Sequence, residues 1–136
     1  MSKIMLEETL TKQIIGVFYK VYNALGYGFL EKVYENAMAI ELRKVGLSIE
    51  CQKQIKVHYD GELIGDYYAD IVVNNIVILE LKAAESLHPA HEAQLLNYLK
   101  ATEKEIGLLF NFGEKPQFRR YFSNDKKKLR VGSEDN

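Results

Sequence analysis

The run Ile76-Val77-Ile78-Leu79-Glu80-Leu81-Lys82 limits what this chain can fold into more than any other segment. Its near-continuous apolar stretch, preceded by the turn-forming pair Asn74-Asn75, reads as a central, buried strand, and the charges of Glu80 and Lys82 continue inside it. Strand side chains alternate, so Glu80 and Lys82 project to one face and Leu81 to the other. A further carboxylate, Asp70, lies in the preceding strand-like run, where strand pairing would set it beside them. Burying two carboxylates and an ammonium in a sheet is costly unless they serve something. The arrangement is a compact site for a hard divalent cation.

The flanking patterns build a mixed α/β chain around that strand. Leu6, Leu10, Ile14, Val17, Phe18, Val21 and Leu25 recur at the three-and-four spacing of one helical stripe, ended by Gly26-Tyr27-Gly28. A second helix carries Leu30, Val33, Tyr34, Ala37, Ile40, Leu42 and Val45, and stops at Gly46. From Ile49 the period changes to two, with Ile55, Val57 and Tyr59 alternating against Gln54, Lys56 and His58. Asp60-Gly61 turns the chain into a returning strand through Leu63 and Tyr67 to Val73. With the central strand this predicts a three-stranded antiparallel meander. His88-Pro89 then opens a third helix, with apolar residues Ala93, Leu95, Leu96, Tyr98 and Leu99. Ile106–Phe112 returns as a strand, parallel to the central one through a right-handed helical crossover, and Phe118–Phe122 reads as an edge strand.

With 136 residues, 47% of them hydrophobic, the chain suffices for one domain with a real core, expected over 1–131, followed by a polar tail at 132–136. The amino terminus acquires Glu7 and Glu8 before any signal-peptide core forms, and no window reaches membrane-span length, so a cytoplasmic protein without a membrane partner is expected. The single cysteine, Cys51, excludes an intrachain disulfide framework and disfavours a thiolate zinc site. A net charge of −1 argues against coating nucleic acid electrostatically, although a local basic groove is compatible with it. Arg119, Arg120, Lys126, Lys127, Lys128 and Arg130 gather near the carboxyl end, where a solvated surface is the ordinary reading and phosphate contact the alternative.

The element order and the spacing of Asp70 with Glu80-Leu81-Lys82 resemble the core of the PD-(D/E)XK nuclease superfamily. More specifically, Gly28-Phe29-Leu30-Glu31-Lys32-Val33-Tyr34-Glu35, Gln94-Leu95-Leu96-Asn97-Tyr98-Leu99 and Gly107-Leu108-Leu109-Phe110-Asn111-Phe112-Gly113, taken with Glu80-Leu81-Lys82, resemble the GxxExxY family over nearly the whole chain. The resemblance implies a restriction-endonuclease-like core, an Mg²⁺ or Mn²⁺ cofactor and a nucleic-acid substrate, DNA ahead of RNA. It implies Asp70, Glu80 and Lys82 as catalytic residues, and Asp70, Glu80 and the Leu81 backbone carbonyl as metal ligands. A helix glutamate joins the metal shell in related nucleases; here that is Glu35 or Glu31, one helical turn apart, with Glu35 preferred. Gln94 and Tyr98 share a helical face and are implied in substrate contact or in organising the site. The superfamily's Pro-Asp pair is here Ala69-Asp70, which keeps the ligand and removes only a backbone restriction.

The chemistry fits these residue types. Mg²⁺ favours octahedral oxygen ligation and is commonly held by one or two carboxylates plus substrate phosphate. Without a cation, two carboxylates about 4 Å apart repel by roughly 4 kcal/mol at an effective dielectric near 20, so one takes up a proton instead. Lys82 would orient water or stabilise charge on the attacked phosphate. The plainer alternatives are an ion pair between Glu80 and Lys82, a solvated face at Glu31 and Glu35, core packing for Tyr98 and backbone bracing for Gln94. His88 reads as a residue at the helix start and His91 as a helix residue or phosphate neighbour, while Tyr67, Tyr68, Phe110 and Phe112 suit either base stacking or the core. A second functional class keeps the fold without turnover, as a module that binds nucleic acid or a protein. A domain this small would draw specificity from a homodimer or a partner protein.

Overall fold

Alternation along the central strand divides the molecule into layers. The computed structural model describes residues 2–123 and 129–135. In order, the elements are α1 (Lys3–Leu25), α2 (Glu31–Lys44), β1 (Ile49–Tyr59), β2 (Glu62–Val73), β3 (Val77–Lys82), α3 (Pro89–Ala101), β4 (Ile106–Phe112), β5 (Pro116–Ser123) and β6 (Leu129–Asp135). Val77, Leu79 and Leu81 of β3 pack with Ile14, Phe18 and Val21 of α1 and with Met38 and Leu42 of α2. Ile78 faces the other way, onto Leu95, Tyr98 and Leu99 of α3. By the same alternation Glu80 and Lys82 leave β3 on the α3 side.

The sheet runs in the order β1-β2-β3-β4-β5-β6. Strands β1 to β3 form the expected antiparallel meander, and β4 lies parallel to β3 from Val77↔Ile106 to Lys82↔Asn111. Both hairpin turns place their two central residues at positive φ, Asp60 and Gly61 at 51° and 78°, Asn74 and Asn75 at 51° and 56°. That conformation suits the right-handed twist of the flanking strands, which is why Asp, Asn and Gly occupy it. Crossover helix α3 seats closely because Gly107 of β4 has no side chain: a Cβ there would lie 2.9 Å from Leu95 Cδ1.

Several boundaries differ from the sequence expectation. Helix α1 begins at Lys3 because the Ser2 hydroxyl accepts the Met5 N–H at 3.2 Å and caps it. Ile76 belongs to the turn, its N–H donating to the Val73 carbonyl at 2.9 Å. Strand β5, expected at the sheet edge, pairs with β4 along its length and has β6 on its other side. Residues 132–135, expected as a polar tail, are the end of β6, paired with Gln117–Arg120. Polar residues join an outermost strand readily because its free edge still meets water. Lys126, Lys127 and Lys128 lie outside the described residues. Among the described residues no helix is long and apolar enough to cross a membrane.

Candidate metal and phosphate site

The two antiparallel strands β2 and β3 pair only through Ile71↔Leu79, Val72↔Ile78 and Val73↔Val77. The next pair would be Asp70 against Glu80, and there the ladder gives way to side chains. The Asp70 N–H donates to Glu80 Oε1 at 3.3 Å, and the Leu81 N–H donates to Asp70 Oδ2 at 2.8 Å. Two carboxylates thus accept backbone donors at the point where the strands part, so neither donor is left unpaired. Glu80 is 1% exposed and Asp70 half-buried.

Burial dominates the electrostatics of this pair. The Glu80 carboxyl is pushed up to about 9, first by desolvation and then by the charge of Asp70. Desolvation raises Asp70 as well, opposed by the hydrogen bond from Leu81. Both carboxyls are thus pushed towards the protonated form, and Glu80, the more deeply buried, holds its proton at neutral pH chiefly because of that burial.

From the α2 side comes Glu35, 4% exposed, linked to Asp70 through a shared hydrogen-bond donor. Its Oε1 accepts from Gln52 Nε2 at 2.6 Å, and the same amide reaches Asp70 Oδ1 at 3.4 Å. Gln52 occupies this position because β1 departs from regular pairing there. The register passes from Cys51↔Ile71 to Lys53↔Ala69 without pairing Gln52, whose φ is 52°. The other Glu35 oxygen accepts from Lys32 Nζ at 2.6 Å. Glu31 is exposed in the first turn of α2, and no hydrogen bond joins it to Asp70 or Glu80 among the described residues. Sequence reading missed Gln52, since a glutamine in a polar stretch of strand carries no mark of its contacts.

On the α3 side, Lys82 Nζ donates to Gln94 Oε1 at 3.1 Å, and Gln94 Nε2 donates to the Tyr98 hydroxyl at 2.9 Å. Tyr98 is a core residue that also accepts from Gln94, with its ring buried and its hydroxyl raised by burial and by Glu80. Among the described residues Lys82 forms no ion pair with Glu80 or Asp70, so the plain strand ion pair is not what the structure contains. The chain leaving Lys82 is clamped by buried Asn111, which accepts the Ala84 N–H at 2.9 Å and donates to the Ala84 carbonyl at 3.0 Å. His91 Nδ1 accepts the His88 N–H at 3.2 Å at the start of α3, and burial followed by the Lys82 charge holds its imidazole below the usual range. Phe110 and Phe112 are core, stacked on Phe18 and Tyr34 at 4.4 and 4.1 Å, whereas Tyr67 and Tyr68 are exposed.

The donor set fits a hard cation of the kind held by two carboxylates and completed by water and substrate oxygen. Asp70 and Glu80 present oxygen ligands, and a cation would favour the ionised Glu80 that burial, and after it the charge of Asp70, disfavours. Among the described residues no three His, Cys, Asp or Glu side chains converge on a common point.

A mixed sheet between helix layers, with a carboxylate pair and a lysine where its strands part, defines the restriction-endonuclease-like class. The chain belongs to the PD-(D/E)XK nuclease superfamily, whose family model matches residues 8–121. Members of that superfamily are mostly metal-dependent nucleases. Neither curated proteins nor solved structures gave a match.

Proposed function

We propose that this chain is a metal-dependent nuclease of the GxxExxY type, acting in the cytoplasm, that hydrolyses phosphodiester bonds, in DNA ahead of RNA. The observation that carries the reading is the pairing of half-buried Asp70 with buried Glu80 at the parting of β2 and β3, with the Glu80 carboxyl held near 9. Asp70, Glu80 and the Leu81 carbonyl would hold Mg²⁺ or Mn²⁺, and Glu35 would act on that shell through Gln52. When bound, the cation supplies Lewis-acid polarisation of the phosphate and neutralises the carboxylate pair. Lys82, steadied by Gln94 and Tyr98, stabilises the negative charge that grows on the phosphate during attack by water. Gln94 thereby fixes where that ammonium points, and Asn111 fixes the strand end that carries it.

The test is cleavage of labelled single-stranded DNA, duplex DNA and RNA with Mg²⁺, Mn²⁺ or EDTA, comparing wild type with Lys82→Ala purified in the same way. Metal-dependent cutting that falls at least about a hundredfold in the variant is the expected result. A second reading, a binding module without turnover, is favoured by one observation: both Glu35 oxygens are already engaged, by Lys32 and Gln52. Metal-independent binding without cutting by either protein would select it.

A further inference from the structure

Two adjacent tyrosines, Tyr67 and Tyr68, precede Asp70 on β2, and neither is core: they are 43% and 50% exposed. In this stretch β2 pairs only with β1, because β3 has already parted at Asp70. Alternation sends the two rings to opposite faces of the hairpin. Tyr67 is the one whose ring is held. It lies over Gly65, where a Cβ would come within 3.1 Å of Tyr67 Cε2 and 3.4 Å of its hydroxyl. A further neighbour is the Tyr98 ring, 5.7 Å away and tilted by 51°. Through Tyr98 and Gln94 that contact leads to Lys82.

An aromatic ring is therefore positioned three residues from Asp70 yet remains partly open to solvent. A ring so placed offers stacking that tolerates any base, and being pre-positioned it loses little rotamer freedom on binding. Bases inside a duplex present only their edges to a protein, whereas an unpaired base exposes its face. We propose that Tyr67 is a stacking platform for an unpaired base beside the phosphate under attack, so that the substrate class is single-stranded nucleic acid or the frayed end of a duplex. The inference rests on the nuclease reading of the neighbouring carboxylate site.

Binding in EDTA separates the platform from turnover. Fluorescence anisotropy would compare a labelled single strand with a blunt duplex of the same sequence, for wild type, Tyr67→Phe and Tyr67→Leu. Leucine keeps apolar contact with Gly65 and Tyr98 but has no aromatic face. Wild type and Tyr67→Phe should prefer the single strand, and Tyr67→Leu should lose about five- to hundred-fold in single-strand affinity with duplex binding unchanged. Equal losses on both substrates, or no loss, would overturn the platform. Photocrosslinking of a halouracil oligonucleotide to wild type, mapped by mass spectrometry, needs no variant: a crosslink at Tyr67 supports the platform, and crosslinks confined elsewhere refute it. Wild type that bound no nucleic acid in EDTA yet cut it with Mg²⁺, or cutting that ignored Tyr67, would remove only the platform, whereas wild type that neither bound nor cut would overturn the nuclease reading with it.

Discussion

Glu80→Gln should flatten the pH dependence of stability in the metal-free protein. The folded carboxyl is held near 9 against an ordinary value of 4.5, so between those limits the native chain keeps a proton that the unfolded chain has released. A raised folded value means the stabilisation is fully present below the ordinary range and is lost as pH rises towards 9. The slope is on the order of −1 kcal/mol per pH unit, so roughly 3 kcal/mol disappears between about pH 6 and about pH 8. Glutamine matches the protonated acid in shape and can accept the Asp70 N–H as Glu80 does, but it cannot ionise. Urea denaturation followed by circular dichroism in EDTA across that range would give both slopes. Asp70 is raised too and is retained in both proteins, so the informative quantity is the difference between slopes. Parallel slopes would refute the claim that Glu80 is buried in its neutral form.

Other outcomes follow from the same contacts. Millimolar Mg²⁺ or Mn²⁺ should raise the melting temperature of wild type, and Asp70→Ala should abolish that rise, because a ligand bound only by the native state stabilises it. Asn111→Ala should cost about 2–3 kcal/mol in denaturant melts, since it strips the Ala84 N–H and carbonyl of their buried partner. Gly107→Ala should cost about 1–3 kcal/mol by forcing Leu95 and α3 away from β4, with an unchanged spectrum showing that the fold survives.

What was legible in the sequence was whatever a local rule determines. Asp60-Gly61 and Asn74-Asn75 announce their turns because few residue types accept positive φ at both central positions. The alternation of Ile78, Glu80 and Lys82 against Val77, Leu79 and Leu81 puts the two charges together on one face, opposite Leu81, before any neighbour is known; that α3 covers that face comes from the structure. The rest depends on tertiary choices. Helical spacing puts Glu31 and Glu35 on one side of α2, but depth decides between them: Glu31 lies at the exposed first turn, and Glu35 lies where α2 meets the sheet. Gln52 links Glu35 to Asp70 only because β1 pairing skips it, a departure that no composition or period signals. Tyr67 and Phe110 look alike as strand aromatics. They are separated by where β3 stops: Phe110 lies on a strand covered by α1, and Tyr67 lies on a hairpin that has outrun the sheet. The parting of β2 from β3 thus places the acids, leaves one of them protonated and exposes the tyrosine, three features that appear unrelated along the chain.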